Sequence, residues 1–520
     1  MSTADELPDR DARRLAATLL DDNAFIEAGA GTGKSTTLVS RILNTITGPS
    51  QTPVTSIAAI TFTERAGAEL RHRLRDRIST RLAAGTDSLV DQQLLTAALR
   101  DLDAAPIGTI HSFAQRILRT HALSAGLPLG FAPATGIDAA DDERSRVRAA
   151  VEHLQADLDV DTRSMLDAYG LSAYDLLEVL RRLDAAWLRL GDKAFCGPGI
   201  DLDSLCAQVA DNFDDFLLRA RDECADPSDR LMLAFEERLP PVVELLRRAD
   251  PNELAATAAE VQGAHPLFKL GNVGGKGAWG DGGAKAHRDD LKELASSLHA
   301  CLIAPLEGAV RTALAEAWRV MRAHREERAH RGVVTFDELL SRARDLVRDD
   351  ADVRALVHAE YPVVLVDEFQ DTDPVQWELI GLITAAPHDP DAGPLPGRLV
   401  VVGDPKQAIY SFRGADIDTY TAALAGFEAS DRPLGHVFEL TTNFRSVAPL
   451  IEWVDAVFSA AMDGQPAQVE YRDLDIRHRP AATSPGPSVT VIRDPEQPPN
   501  PDGSRATGVV GSTELEPRLV

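Results

Sequence analysis

Residues 27–35 read Glu-Ala-Gly-Ala-Gly-Thr-Gly-Lys-Ser, between an apolar run at 24–26 and a helix-like run at 36–43. A glycine-rich turn joining a buried strand to a helix N-terminus presents backbone N–H groups to a phosphate. Ala28, Gly29, Ala30, Gly31, Thr32, Gly33, Lys34, Ser35 and Thr36 are therefore the candidate contacts to a nucleoside triphosphate. Lys34 can reach the β- and γ-phosphates, and the Ser35 hydroxyl can ligate Mg²⁺. Ala28 stands where such loops usually open with glycine, a change that a small side chain tolerates. Far downstream, a second apolar run ends in Asp367 and Glu368. At the carboxyl end of a parallel strand, Asp367 would hold Mg²⁺ and Glu368 would orient and deprotonate an attacking water. Each feature alone has a bland alternative: a chance match for the loop, a helix cap for the acids. Together they point to nucleotide hydrolysis.

The elements that must position these groups alternate between strand and helix. Residues 57–62 and 106–110 read as strands, followed by amphipathic helices at 66–78 and 113–121. The alternation resumes with strands at 361–366 and 398–402, which predicts a parallel, doubly wound α/β sheet. Between them, residues 123–331 are rich in alanine, leucine, arginine and acids at helical spacing, a mostly helical insertion that interrupts one domain. A glycine-rich patch at 270–284 inside it, with Lys276 and Lys285 nearby, reads as a surface loop or as a phosphate contact. A third region begins near Ser446 with a helix-like run at 447–462. A strand is expected at 488–492, and the tail from 496 has the composition of a disordered segment.

At 520 residues the chain exceeds what one core supports and should divide into several domains. It has no apolar run long enough for a bilayer and an acidic, polar N-terminus unlike a secretory leader. Its four cysteines show no paired spacing for a metal or a disulfide framework, so a cytoplasmic setting without membrane partners is the expectation. The net charge of −27 does not exclude a nucleic acid, since binding depends on where the basic groups lie. Lysine is scarce, seven against forty-seven arginines, yet Lys34 and Lys406 both fall in candidate site segments.

Six ordered segments carry a family likeness. The run 367–376, Asp-Glu-Phe-Gln-Asp-Thr-Asp-Pro-Val-Gln, resembles motif II of superfamily 1 DNA helicases of the UvrD/Rep type, in particular the RecB (exonuclease V beta subunit) and AddA branch. Residues 61–66 with Glu69 and Leu70 are similar to motif Ia, and 108–113 to motif Ib. Residues 335–340 resemble the segment re-entering the core ahead of motif II. Residues 402–416 closely resemble motif III, and 440–446 motif IV. The resemblance implies a RecA-like P-loop NTPase fold, with ATP and Mg²⁺ as cofactors. It implies 3′–5′ translocation on single-stranded DNA or on duplex ends with a 3′ overhang, in recombination or repair. A nuclease or second helicase subunit would be a partner. On this likeness Gln407 senses the γ-phosphate, Arg445 neutralises charge on the transferring phosphoryl group and Phe444 stacks on adenine. Phe62, Thr63, His111, Tyr410, Phe412 and Arg413 contact the DNA strand, a pairing of aromatics with cations suited to single strands. Phe412 stands where relatives often carry tryptophan. The structural alternative for Phe62 and Phe412 is plain core packing.

The implied boundaries are 1–122 and 332–446 for the first motor domain, 123–331 for the helical insertion, 447–495 for the start of a second motor domain, and 496–520 for the tail. Two departures stand out. No glutamine occupies 10–23, where the family often reads adenine, and nothing after Ser446 resembles motifs V and VI or a nuclease signature. The expectation is the N-terminal part of a longer helicase, cut short. The alternatives are a non-unwinding ATP- or DNA-binding fragment, a module that docks a partner protein, or an RNA helicase of the same superfamily.

Overall fold

The computed structural model describes residues 7–134, 137–190, 195, 199–260, 270, 273–280, 282–411, 414–462 and 471–478. The chain divides into two compact units, one of residues 1–107, 362–372 and 394–520, the other of 108–361 and 373–393. The division differs from boundaries drawn at 122 and 332. Helix Ile110–Thr120 and helix Pro374–Thr384 both pack on helix Phe336–Asp349, so the segments flanking the insertion cluster with it.

The first unit is built on strands β1 (Ala24–Ala28), β2 (Ile57–Thr61), β3 (Ile107–Thr109, which begins there), β4 (Val363–Val366), β5 (Leu399–Gly403) and β6 (His436–Leu440). Their order is β6-β1-β5-β4-β2-β3. The pairings β1 with β6, β1 with β5, β2 with β4 and β4 with β5 are all parallel. Strands buried on both faces explain the continuous apolar runs in the sequence. On one face Ala24, Ile26 and Ala28 meet Leu38, Ile42 and Ile46 of helix Lys34–Thr47, with Leu70 and Leu74 of helix Glu64–Ala84 in the same core. On the other, Phe25 sits edge-on to Phe369, Tyr420 and Phe427 at 5.9, 5.2 and 5.4 Å. The register aligns Ala28 with Leu440, Glu27 with Gly403 and Ile60 with Val366. The loops that follow β1, β4, β5 and β6 therefore open at one carboxyl edge, where open α/β sheets collect ligands.

Beyond β6, a parallel pair of short strands, Thr442–Val447 with Asp475–His478, flanks helix Ala448–Ala461. The expected strand at 488–492 and the tail lie outside the described residues.

The second unit is helical. Its spine is the 48-residue helix Gly283–His330, about 70 Å long at 1.5 Å per residue. Leu298, Cys301 and Leu302 of this helix join the core of helices Leu202–Glu223 and Arg230–Arg248. Further along, Ala313, Ala317 and Met321 join the core of Ile137–Ala156. The glycine-rich patch is only partly a loop. Lys276–Trp279 forms a helical turn, Trp279 is buried, and its indole N–H donates to Asp229 at 2.8 Å. Among the described residues no helix is long and apolar enough to cross a membrane.

Candidate active site

The glycines after β1 are where backbone freedom is needed. Gly31 and Gly33 adopt φ of 76° and 90°, a region that side chains disfavour. A Cβ on Gly31 would also lie 2.7 Å from the Arg445 Cβ and 2.8 Å from Asn443 Nδ2. The Thr32 hydroxyl donates to the Gly29 carbonyl at 2.8 Å and closes the loop on itself. Lys34 then opens its helix, Ser35 is half-buried in the first turn and Thr36 is exposed. Ala30 is exposed at the loop's tip, whereas the Ala28 methyl belongs to the strand and the core.

Lys34 and Glu368 meet. The Lys34 ammonium donates to Glu368 Oε2 at 2.6 Å, with both side chains largely shielded. Glu368 is a non-glycine residue in the left-handed region, φ 53° and ψ 47°, a backbone cost that clusters at functional sites. Its own N–H donates to Asp367 Oδ1 at 3.0 Å. From Glu368 a line of polar contacts runs to the loop after β5. Gln370 Nε2 donates to Glu368 Oε2 at 3.0 Å, and Gln370 Oε1 accepts from the Asp404 N–H at 2.9 Å. Gln407 Nε2 donates to Asp404 Oδ2 at 2.7 Å. Gln407 is thus linked to the acid pair through Asp404 and Gln370. Both intermediaries lie inside segments that the sequence singles out, but spacing alone assigns neither a role.

Charge in this cleft is out of balance. Burial, reinforced by the charge of Glu368, pushes the Asp367 carboxyl up to about 6. Burial and the same neighbour push Asp371 up to about 6 as well. Burial also works against Glu368, yet Lys34, the Gln370 hydrogen bond and Arg445 outweigh it and hold its carboxyl below the usual range. Asp371 Oδ1 is buried with no hydrogen-bond partner. Carboxylates in excess of cations, one of them orphaned, are the environment a divalent cation relieves. No group of three or more His, Cys, Asp or Glu arranged for a metal occurs among the described residues. Such a cation would thus depend on phosphate oxygens to complete its shell, with Ser35 and Asp367 as protein donors. These residues fit a magnesium–triphosphate. Asp371 carries no signal of this kind in the sequence, because only the fold reveals its burial.

The strand after β6 closes on the same loop. Asn443 Nδ2 donates to the Ala30 carbonyl at 2.7 Å, and the Phe444 N–H donates to the Gly31 carbonyl at 2.9 Å. Phe444 and Arg445 are both exposed beside the loop. Of the residues expected to hold a strand of DNA, Phe62 and Tyr410 come together, ring centroids 4.6 Å apart. Thr63 caps helix Glu64–Ala84, its hydroxyl accepting from the Ala66 N–H. His111 lies in the second unit, edge-on to Phe336 at 6.1 Å. Phe412 and Arg413 lie outside the described residues.

The sequence matches the UvrD/REP helicase N-terminal domain family over residues 10–428. Among curated proteins it is similar to the RecBCD enzyme subunit RecB of Escherichia coli (strain K12), 27% identical over 480 residues, covering 85% of this chain and 38% of that protein. The RecBCD enzyme subunit RecB of Mycolicibacterium smegmatis is 41% identical over a shorter stretch of 152 residues, covering 29% of this chain and 12% of that protein. An ATP-dependent helicase/nuclease subunit of Exiguobacterium sibiricum is 25% identical over 509 residues, covering 89% of this chain and 40% of that protein. The chain spans well under half the length of these curated relatives.

Proposed function

Because the chain belongs to the UvrD/REP helicase N-terminal domain family, we propose that it is the nucleotide-binding part of an ATP-dependent DNA helicase or translocase of the RecB/AddA type. The observation that carries this reading is the 2.6 Å contact between Lys34 and Glu368, 334 positions apart in sequence. It supports a reading in which Lys34 binds phosphate and Glu368 acts as the general base of one cleft. Lys34 holds the β/γ-phosphates, and the glycine loop offers its N–H groups to them. Ser35 and Asp367 hold Mg²⁺, which when bound neutralises phosphate charge. Glu368, kept ionised by Lys34, takes the proton of the attacking water once the lysine turns to phosphate. Gln407, joined to Glu368 through Asp404 and Gln370, senses whether the cleft is filled. Arg445 balances charge on the transferring group, and Phe444 carries the base.

The paired rings of Phe62 and Tyr410 support a stacking surface for single-stranded DNA. By the motif resemblance, His111, Phe412 and Arg413 are further candidate contacts to the strand. By the same motif resemblance, the substrate is a DNA end with a 3′ overhang, movement is 3′ to 5′, and the setting is cytoplasmic recombination or repair beside a nuclease or second motor subunit. The test is ATP turnover by the chain with and without single-stranded DNA, and with RNA in competition. Turnover that DNA stimulates, that RNA does not match and that Glu368→Gln abolishes is the result expected. Turnover indifferent to DNA, or unchanged in Glu368→Gln, would overturn the reading.

A further inference from the structure

The first helix, Arg10–Thr18, carries a polar pair that the mechanism above does not use. Asp9 holds the N-cap position without a side-chain capping bond, and its side chain is only 3% exposed. Its carboxylate accepts from the Thr441 N–H and the Thr442 N–H, both at 2.9 Å, and from the Thr442 hydroxyl at 2.8 Å. Arg13 grips the same carboxylate with two hydrogen bonds, at 2.8 and 2.5 Å. A carboxylate has about four lone-pair sites, so Asp9 is saturated. The Arg13 fork reaches further in two directions. One arm donates to the Thr32 carbonyl in the glycine loop at 2.6 Å, the other to the Thr442 carbonyl at 3.2 Å. The guanidinium lies over the Phe444 ring, 4.9 Å from its centroid. A Cβ on Gly33 would meet Arg13 at 3.4 Å and Phe444 at 4.0 Å, so all three share one small space.

The site assignment leaves Phe444 as the platform for the base, and this residue is 38% exposed. An arginine lying on one face of an aromatic ring is held there by the ring quadrupole and fixes its orientation. We propose that Asp9 and Arg13 are positioning residues for the base: they set the Phe444 face against the glycine loop, so the site grips a nucleotide by its base as well as its phosphates. The inference rests on the ATP-site reading above. It does not require the pair to hold the strand in place, since Asn443 and Phe444 make their own bonds to Ala30 and Gly31. Nearly all Arg13 donors are spent on protein acceptors, so its action on the base runs through Phe444 rather than by direct contact.

Competition against a fluorescent ATP analogue separates the two halves of the ligand, with ATP and inorganic tripolyphosphate as competitors in Mg²⁺. Arg13→Ala should weaken ATP roughly 10-fold, the scale of one shielded cation–π contact, and tripolyphosphate distinctly less, through the lost bond to the Thr32 carbonyl alone. In a Phe444→Leu background, Arg13→Ala should change ATP affinity by less than about 2-fold. Arg13→Lys, which keeps the charge and loses the fork, should fall between, and melting temperatures of all variants report folding. Equal weakening of ATP and tripolyphosphate would overturn the proposal, as would additive effects of Arg13→Ala and Phe444→Leu. Lys34→Ala tests the underlying reading separately. If it leaves both competitors unaffected, the ATP-site assignment fails and the positioning role falls with it. If it abolishes both while Arg13→Ala alters neither, the positioning role alone fails.

Discussion

Glu368 carries an αL backbone, a lysine partner and a glutamine partner at once. A residue held so tightly is pre-positioned, and its removal should touch chemistry more than binding. Glu368→Gln is expected to cut ATP turnover by about 10²- to 10⁴-fold, the range for loss of a general base, with nucleotide affinity little changed in equilibrium binding. Asp9 makes a prediction about pH. Burial opposes its ionisation, but Arg13 and the Thr442 donors outweigh that and keep its carboxyl below 3.8. A depressed carboxylate stabilises the fold above the unfolded value and loses that contribution as pH falls through the folded one. The melting-temperature gap between the native chain and Asp9→Asn should therefore be full at pH 7 and close below about pH 4. A gap that persisted in acid would assign the loss to hydrogen-bond shape rather than charge. The contact of Lys34 with the Asp367–Glu368 pair can be anticipated from the sequence because each lies in a contiguous motif. The contacts of Asp9 and Arg13 cannot, since their partners at Thr441 and Thr442 stand more than 400 positions away.

The strands are readable for a simple reason: a parallel sheet covered on both faces demands apolar runs, and residues 24–26 of β1, 57–60 of β2, all of β4 and 399–402 of β5 are such runs. Their order is not, because pairing depends on which helix fills which face. Phe25 shows the point. A strand of 5 residues supplies the ring on which Phe369, Tyr420 and Phe427 converge. Phe25→Ala should cost about 3–5 kcal/mol in denaturant unfolding, as large cavities in packed cores do. A smaller loss would mean the face can collapse. In the glycine loop, Gly31→Ala combines a positive φ with a Cβ driven into Arg445 and Asn443. Loss of nucleotide binding with the sheet still folded is expected, checked by circular dichroism beside a binding assay. Within the helical unit, Arg325 donates to Asp184 with its guanidinium over the Trp187 ring and 5.8 Å from the centroid of Trp318, and Arg328 donates to Glu338, all out of water. Such a cluster ties helices Ile137–Ala156, Leu177–Leu190, Gly283–His330 and Phe336–Asp349 in one register. Arg325→Met leaves a buried acid short of a partner and should cost about 3–5 kcal/mol. Nothing in the local sequence marks these charges as buried, because the same residue types at helical spacing elsewhere in the insertion are solvated.

At the scale of the whole chain, two features of the sequence pull in opposite directions and the fold reconciles them. A net charge of −27 would repel a polyanion if it were spread evenly. Three cations nonetheless stand at one sheet edge, among the carboxylates that outnumber them there: Lys34 after β1, Lys406 after β5 and Arg445 after β6. The long helical insertion between β3 and β4 leaves the sheet's register intact, so alternation alone is enough to anticipate an α/β sheet interrupted by helices. The boundary between units is a different matter, since it follows the packing of Ile110–Thr120 and Pro374–Thr384 on Phe336–Asp349 rather than any change in composition. On the proposed function, Lys34 and the Asp367–Glu368 pair serve one triphosphate. Calorimetric titration of the 520-residue chain with ATP and Mg²⁺ measures it most directly, beside Lys34→Ala and Glu368→Gln. One ATP per chain is predicted, with affinity retained in Glu368→Gln and reduced at least about 100-fold in Lys34→Ala, the scale of losing a charged phosphate contact in a shielded cleft. ATP binding that survives Lys34→Ala intact would show that Lys34 does not hold the triphosphate.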